Sequence, residues 1–388
     1  MTASAPITQD VMTIPRKEDA TLGKPNLVGL TRDGLRDALI AAGTPEPQAR
    51  MRVGQVWQWI YHWGVRDFAA MTNLAKDYRA LLADSFQISL PEMVSRQVSA
   101  DGTRKYLMRI AGGHEVETVY IPEADRGTLC ISSQVGCALD CAFCSTAQQG
   151  LQRNLTAAEI VSQVWFAIRT LVDELGKERP ISNVVFMGMG EPLANYNQVI
   201  TAIRLLQDDL GFGLSKRRVT VSTSGLVPFM DRLSADVDTA LAVSLHAPND
   251  ALRNELVPIN RKYPIADLIA ACGRYTQRDR KMHIVYEYVM LDGVNDSDDN
   301  ARELARLLRH MPAKVNLIPF NPFPQTRFRR SSPERIEAFA NILRRNKLMV
   351  TTRRTRGDDI DAACGQLVGR VASRQQRRLS DIPVRVAP

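Results

Sequence analysis

What this sequence lacks is the first guide to it. No stretch of its 388 residues approaches the roughly 18 uninterrupted apolar positions that a membrane-spanning helix needs. The opening MTASAPITQDVMTIPRKEDATLGKPN has no apolar core of about 7–15 residues, so it does not read as a secretory signal. There is no internal repeat and no low-complexity tract. Cysteine is scarce, six residues in all, and a disulfide framework is not expected in a large chain without an export signal, because the cytosol keeps thiols reduced. What is present is ordinary globular material, 45% hydrophobic and 24% charged, enough for a substantial core. A cytoplasmic protein of two or three modules is expected.

Lys and Arg number 50 against 42 Asp and Glu, a net charge of +8. The distribution says more than the sum. Residues 325–356 hold nine Arg and one Lys against two Glu, and the tail after Cys364 adds five Arg against one Asp. Basic charge gathered at one end suits a phosphate-bearing ligand; the alternative is a solvated helix face followed by a frayed tail.

Along the chain, residues 1–26 are polar and aperiodic and read as a flexible leader. Residues 27–93 are helical in pattern, with Val53, Val56, Trp57 and Ile60 forming one apolar stripe. Three of the four tryptophans (Trp57, Trp59 and Trp63) lie here. Their ordinary role is the core of a small domain, and the alternative is stacking on unpaired bases. Residues 94–123 alternate around Asp101-Gly102 and Gly112-Gly113, which predicts a β-hairpin linker. From 124 to 350 a strand–helix rhythm takes over. Apolar runs such as NVVFMGMG, RRVTVSTSG, TALAVSLHA and AKVNLIPFNPF read as buried parallel strands, and Thr156-x-x-Glu159 opens a helix as a capping box. The fold class is therefore α/β, an open or curved parallel sheet with its site at the strands' C-terminal ends. Residues 351–388 form a C-terminal segment of their own, carrying Cys364 and the basic tail.

Four cysteines, Cys130, Cys137, Cys141 and Cys144, fall within fifteen residues. In GCALDCAFCST, three of them are spaced Cys-x3-Cys-x2-Cys on a short loop after a strand. A structural zinc site wants four protein ligands, and nothing nearby completes the set. Iron–sulfur clusters usually take four cysteines, so three leave one iron open to a ligand from outside. Farther on, Gly188 and Gly190 in FMGMGEP allow close approach to backbone, and the Glu191 carboxylate can accept from an ammonium group. Ser222 in VSTSG, Ser244-Leu245-His246 in SLHAP and Asn321 in PFNPFP end successive predicted strands and ring one site.

These motifs resemble the radical S-adenosylmethionine (SAM) superfamily, whose Cys-x3-Cys-x2-Cys loop carries an aromatic before its last Cys, as Phe143 does here. GTLCISSQVGCALDCAFCSTAQQG, FMGMGEPLANY, VSTSG, SLHAPND, NLIPFNPFP and TRGDDIDAACGQL resemble more closely the RlmN group of RNA methyltransferases, sister to the Cfr group, over residues 27 to about 370.

The resemblance implies a partial (β/α)6 barrel with a small helical N-terminal accessory domain. It also implies a 4Fe–4S cluster on Cys137, Cys141 and Cys144. SAM would be held by Gly190, Glu191, Ser222, Ser244, Leu245, His246 and Asn321. It further implies two SAM molecules per turnover: Cys364 takes a methyl from the first, a 5′-deoxyadenosyl radical from the second removes hydrogen from that methyl, and the methylene radical adds to adenine. Such a route suits carbon 2, which is electron-poor and does not attack a methyl cation equivalent directly. Cys130 matches the second catalytic thiol, which resolves the adduct and leaves a disulfide with Cys364; Glu117 matches the family's proton-accepting carboxylate.

The implied substrates are 23S rRNA at the peptidyl-transferase centre and the adenosine 3′ of the anticodon in tRNA. A flavodoxin-like reductant, no membrane partner and a monomeric state complete the expectation. Two alternatives stand beside it: carbon-8 methylation as in the Cfr group, and a non-enzymatic Fe–S RNA-binding or redox-sensing protein. Cys272, alone in IAACGRY, reads as a small apolar core residue.

Overall fold

The computed structural model describes residues 23–124, 126–277, 283–324 and 326–367. Residues 1–22 of the leader and the basic tail from 368 onward lie outside the described residues. Pro25 and Asn26 already pair with Gln87, through Gln87 N–H donating to Pro25 O and Leu27 N–H to Gln87 O at 3.0 Å each. The accessory unit thus includes the last residues read above as leader.

That unit has three helices, α1 (Arg32–Ala41), α2 (Glu46–Trp57) and α3 (Lys76–Ser85). Thr31 caps α1 by accepting from Gly34 N–H, and α2 runs on into a wider π-helical turn over Gln58–His62. The stripe Val53, Val56, Trp57 and Ile60 is buried. Trp57 is core: its Nε1 donates to Asp208 Oδ1 at 3.1 Å, across to the barrel. Trp59 and Trp63 instead make an edge-to-face pair, with Trp63 exposed.

One ten-stranded sheet organises the rest. Its antiparallel edge comprises β1 (Glu92–Val98), β2 (Arg104–Arg109), β3 (Glu115–Pro122) and β4 (Gly127–Cys130). The segment read as a hairpin linker is therefore part of the main sheet. After β4 a two-stranded ribbon, β5 (Gln134–Gly136) and β6 (Leu151–Asn154), brackets the cysteine loop, with the short α4 (Ser145–Gln148) between them.

Then come α5 (Ala157–Leu175), β7 (Asn183–Phe186), α6 (Tyr196–Gln207), β8 (Val219–Thr223), α7 (Val227–Asp236), β9 (Ala240–Ser244), α8 (Asp250–Leu256), α9 (Ile265–Thr276), β10 (Ile284–Met290), α10 (Asp298–Leu308), β11 (Ala313–Pro319), α11 (Pro333–Arg345) and β12 (Met349–Thr352). Sheet order is β1-β2-β3-β4-β7-β8-β9-β10-β11-β12, parallel from β4 onward. Six strand–helix units form the expected partial (β/α)6 barrel, and β12 adds a further parallel strand. Among the described residues the sheet does not close, since β1 and β12 are its two ends.

The face turned from the strand-end cavity is fully covered: Val219 and Val221, Leu241 and Val243, Tyr286 and Tyr288, Val315 and Leu317 are all essentially inaccessible. The residues between them are half-buried in β8 and β11, and buried on both faces along most of β9 and β10. The capping box at α5 is present in full, Thr156 accepting from Glu159 N–H and Glu159 from Thr156 N–H. With parallel strands, every strand-to-helix turn falls at the same end of the sheet, and the polar strand ends converge there.

Candidate active site

The cysteine loop lies across the strands' C-terminal ends. Cys137, Cys141 and Cys144 line one cavity with Gly190, Glu191, Ser222, Ser244, His246, Asn321 and Cys364. Leu245 is fully buried behind it, its N–H donating to Glu287 O at 3.1 Å. Gln134, in β5, holds the loop against the FMGMGEP turn: its Oε1 accepts from Ala138 N–H at 3.1 Å and from Glu191 N–H at 2.9 Å. Gly190 sits there at φ +101°, where a Cβ would lie 2.5 Å from the Gln134 side chain. At Gly188 a Cβ would meet Ile131 O at 2.7 Å.

Glu191 is buried, accepting from Ser224 N–H at 2.8 Å and Leu193 N–H at 3.1 Å. Burial lifts its carboxyl to about 7, and those two donors hold the lift in check. His246 occupies the left-handed region at φ +58°. Its Nδ1 accepts from Val289 N–H at 3.0 Å, and burial lowers its pKa to about 3, so the ring is neutral with Nε2 carrying the proton. The Phe143 ring, next to Cys144, meets it edge-on at 4.6 Å.

Burial, then mutual repulsion, pushes the Cys141 thiol up to about 12 and Cys137 well above its ordinary value; burial also raises Cys144. Thiols gathered this way resist ionisation until a cation balances them. Among the described residues no three His, Cys, Asp or Glu converge as ligands of a single ion. An iron–sulfur cluster asks for less, one thiolate for each of three separated irons, and three soft donors lining one cavity fit that requirement.

Cys364 reaches the cavity on a loop fastened on three sides. Asn321 Nδ2 donates to Cys364 O at 3.2 Å. Ser145 N–H donates to Gly365 O at 2.8 Å and Thr146 Oγ1 to Leu367 O at 2.6 Å, tying the loop to the residues just after Cys144. On the far side, Ser99 Oγ donates to Asp359 Oδ1 at 2.5 Å and Gly357 N–H to Asp101 Oδ2 at 3.2 Å, so the β1–β2 turn grips it too.

Cys364 also lines a second cavity, with Arg353, Arg354, Arg356, Glu123 and Thr128. Cys130 is buried on β4, and burial, then the neighbouring Cys364 sulfur, pushes its thiol up to about 12. Both thiols are free. Glu117 lines neither cavity. It is buried on β3, paired with Lys105 Nζ at 3.3 Å, and Lys105 also donates to Asp361 O at 3.3 Å. Lys105, Val119 and Cys130 are opposite one another across β2, β3 and β4, so Glu117 shares their sheet face, one step along.

Three residues that sequence reasoning missed are structural to this site. Arg253, fully buried, donates to Leu245 O at 3.0 Å, Ser244 O at 3.1 Å, Ser224 O at 2.7 Å and Asn260 Oδ1 at 2.8 Å, clamping the ends of β8 and β9. Burial lowers its pKa to about 10, which leaves it charged at neutral pH. Glu287 lines the cavity on β10. Arg353 extends from the end of β12 to Cys364. Arg253 and Arg353, single charges in an amphipathic and an Arg-rich stretch, carried no sequence signal, whereas Glu287 is a lone carboxylate in the apolar run IVYEYVM and did carry one.

An open parallel barrel with three cysteines and a buried carboxylate at its C-terminal mouth defines a radical SAM enzyme. Residues 131–305 match the model of the Radical SAM superfamily, and residues 25–88 match the Ribosomal RNA large subunit methyltransferase N-terminal domain. A radical SAM methyltransferase from Sphaerobacter thermophilus superposes with a TM-score of 0.82 at 49% identity, covering 88% of this chain and 99% of that one. The dual-specificity RNA methyltransferase RlmN of Paracoccus denitrificans (strain Pd 1222) is 60% identical over 374 residues, 94% of each chain. That of Ruegeria pomeroyi (strain ATCC 700808 / DSM 15171 / DSS-3) is 57% identical over 379 residues, 95% of each chain. The chain belongs to the RlmN family. None of its described helices is long and apolar enough to cross a membrane.

Proposed function

We propose that this protein methylates carbon 2 of adenosine in cytoplasmic RNA, both at the peptidyl-transferase centre of 23S rRNA and 3′ of the anticodon in tRNA. The observation that carries the reading is that Cys364 lines two cavities at once. One holds the three cluster thiols and Glu191, and the other presents Arg354 and Arg356, suited to RNA phosphate. A sulfur at that partition can collect a methyl on one side and deliver carbon on the other.

Cys137, Cys141 and Cys144 hold the 4Fe–4S cluster in this reading, which when bound supplies one-electron reductive cleavage of SAM. Glu191 accepts from the SAM ammonium group, Gly190 lets the ligand reach backbone, and Ser222, Ser244, Leu245, His246 and Asn321 complete its walls. Cys364 accepts the methyl as a thioether. Cys130, close enough to feel the Cys364 sulfur, attacks it to release the product and leaves a disulfide. Glu117 takes a proton, with Lys105 holding its carboxylate. The protein works as a monomer with a flavodoxin-like reductant.

Nucleoside mass spectrometry tests this. Reconstituted protein, reductant and methyl-labelled SAM are incubated with unmodified 23S rRNA fragments or tRNA. Labelled 2-methyladenosine is expected, and Cys364→Ala is expected to abolish it. Labelled 8-methyladenosine would move the protein to the Cfr type of reaction; methylation retained in Cys364→Ala would overturn the two-cysteine route.

A further inference from the structure

Arg353 is not among the residues the functional reading uses, yet it occupies the wall between the two cavities. Its Nη1 donates to Cys364 Sγ at 2.7 Å, and its Nη2 approaches Met187 Sδ at 3.5 Å. Its backbone is pinned, N–H donating to Leu317 O at 2.8 Å, so the guanidinium is delivered from a fixed point at the end of β12. The Cys364 sulfur, then the Glu287 carboxylate and the Cys130 sulfur, all favour its charge. Arg354, its neighbour, is exposed, whereas Arg353 turns inward. A guanidinium nitrogen held against a thiol sulfur in the wall between two cavities does more than fill space: it fixes where that sulfur sits and faces it with a permanent positive charge.

We propose that Arg353 is the positioning residue that prepares Cys364 for methyl acceptance, fixing its sulfur at the partition and facing it with a cation as its proton leaves. The inference rests on the functional reading above. The step balances simply. The Cys364 proton goes to solvent, and the sulfur's lone pair then forms the new S–C bond. The S–CH3 bond of SAM breaks, with its electron pair remaining on the SAM sulfur. One thiolate and one sulfonium become two neutral thioethers, so no oxidant or reductant is consumed. Arg353 loses its strong acceptor in the same event, and Glu287 remains as its counter-charge. The planar fork suits this role better than an ammonium, because one nitrogen serves Cys364 while the other rests on Met187.

The test uses the cluster-loaded protein with Cys364 unmethylated, SAM and no reductant, so that radical chemistry is silent. Methyl on Cys364 is followed by peptide mass spectrometry, and iodoacetamide labelling of Cys364 is followed in parallel without SAM. Arg353→Gln is expected to slow both at least about tenfold while cluster absorbance and SAM affinity stay at wild-type values. Arg353→Lys, which keeps the charge but not the fork, is expected to fall between, and it carries the test should the Gln variant fail to load its cluster. A wild-type methylation rate in either loaded variant would overturn the inference. Absence of methyl on Cys364 in the wild-type protein itself would instead overturn the functional reading.

Discussion

Arg253 shows how much of the site depends on a single buried residue. Its guanidinium donates to three carbonyls at the ends of β8 and β9, Ser224 O, Ser244 O and Leu245 O, of which Leu245 O also accepts from Ala247 N–H at 2.8 Å. Each buried acceptor left without a donor costs about 1–3 kcal/mol. Arg253→Met is therefore expected to lower unfolding stability by about 3 kcal/mol, read as a shifted urea midpoint; an unchanged midpoint would remove the clamp from this account. Gly190 is the corresponding backbone case. Its φ of +101° and the 2.5 Å approach to Gln134 leave no room for a methyl group. Gly190→Ala is expected to weaken SAM binding at least about tenfold by equilibrium dialysis, in protein whose cluster content is normal.

At the scale of elements, α5 carries the accessory domain on one side and the cluster ribbon on the other, so its N-terminus matters beyond its own length. Glu159 there caps the helix and pairs with Arg153 of β6 at 2.7 Å. Burial by itself would raise the Glu159 carboxyl. The Arg153 hydrogen bonds and charge, with those from Thr156, outweigh burial and hold it below the ordinary glutamate value. A carboxyl lowered by folding contributes stability that is present above its unfolded pKa of about 4.3 and lost as pH falls through the lowered folded value. Glu159→Gln is thus expected to cost about 1 kcal/mol at pH 7, since Arg153 is partly exposed and screened. The gap between variant and wild type should narrow in melts taken below about pH 4. A constant gap down to pH 3 would mean that the cap, not the charge, is what matters.

For the whole molecule, the question is how a helical module and a barrel act on one large RNA. Their junction converges on Asp208, which accepts from Arg32 at 2.7 and 2.6 Å and from Trp57 Nε1 at 3.1 Å. Asp208→Ala is expected to loosen this docking without touching the chemistry. KM for folded tRNA or rRNA should rise several-fold, while the rate at which SAM methylates Cys364 stays unchanged; a fall in that rate would show that the junction also shapes the site. The Arg-lined cavity makes a separate electrostatic prediction. Arg354→Gln should reduce the log–log salt slope of RNA binding by about 0.7–0.9 if that side chain meets one phosphate, as filter binding from 50 to 200 mM salt would show.

What the sequence determined alone is what local pattern encodes. The cysteine spacing, the glycines before Glu191, the capping box and the apolar strand runs each depend on neighbours within a few positions, and their elements formed where the pattern predicts. The stripe on α2 was legible for the same reason, though only packing against α6's outgoing loop decided that Trp57 is core while Trp63 stays exposed. Tertiary structure decided everything that depends on distant segments meeting. The alternating stretch read as a linker became the sheet's antiparallel edge because β3 found β4. Glu117, legible only through resemblance, came to share a sheet face with Cys130, but lines neither cavity. Arg353 and Arg253 were hidden among surface-like charges, because a charge's role is set by which partners burial leaves within reach, and that is known only once the chain has closed around it.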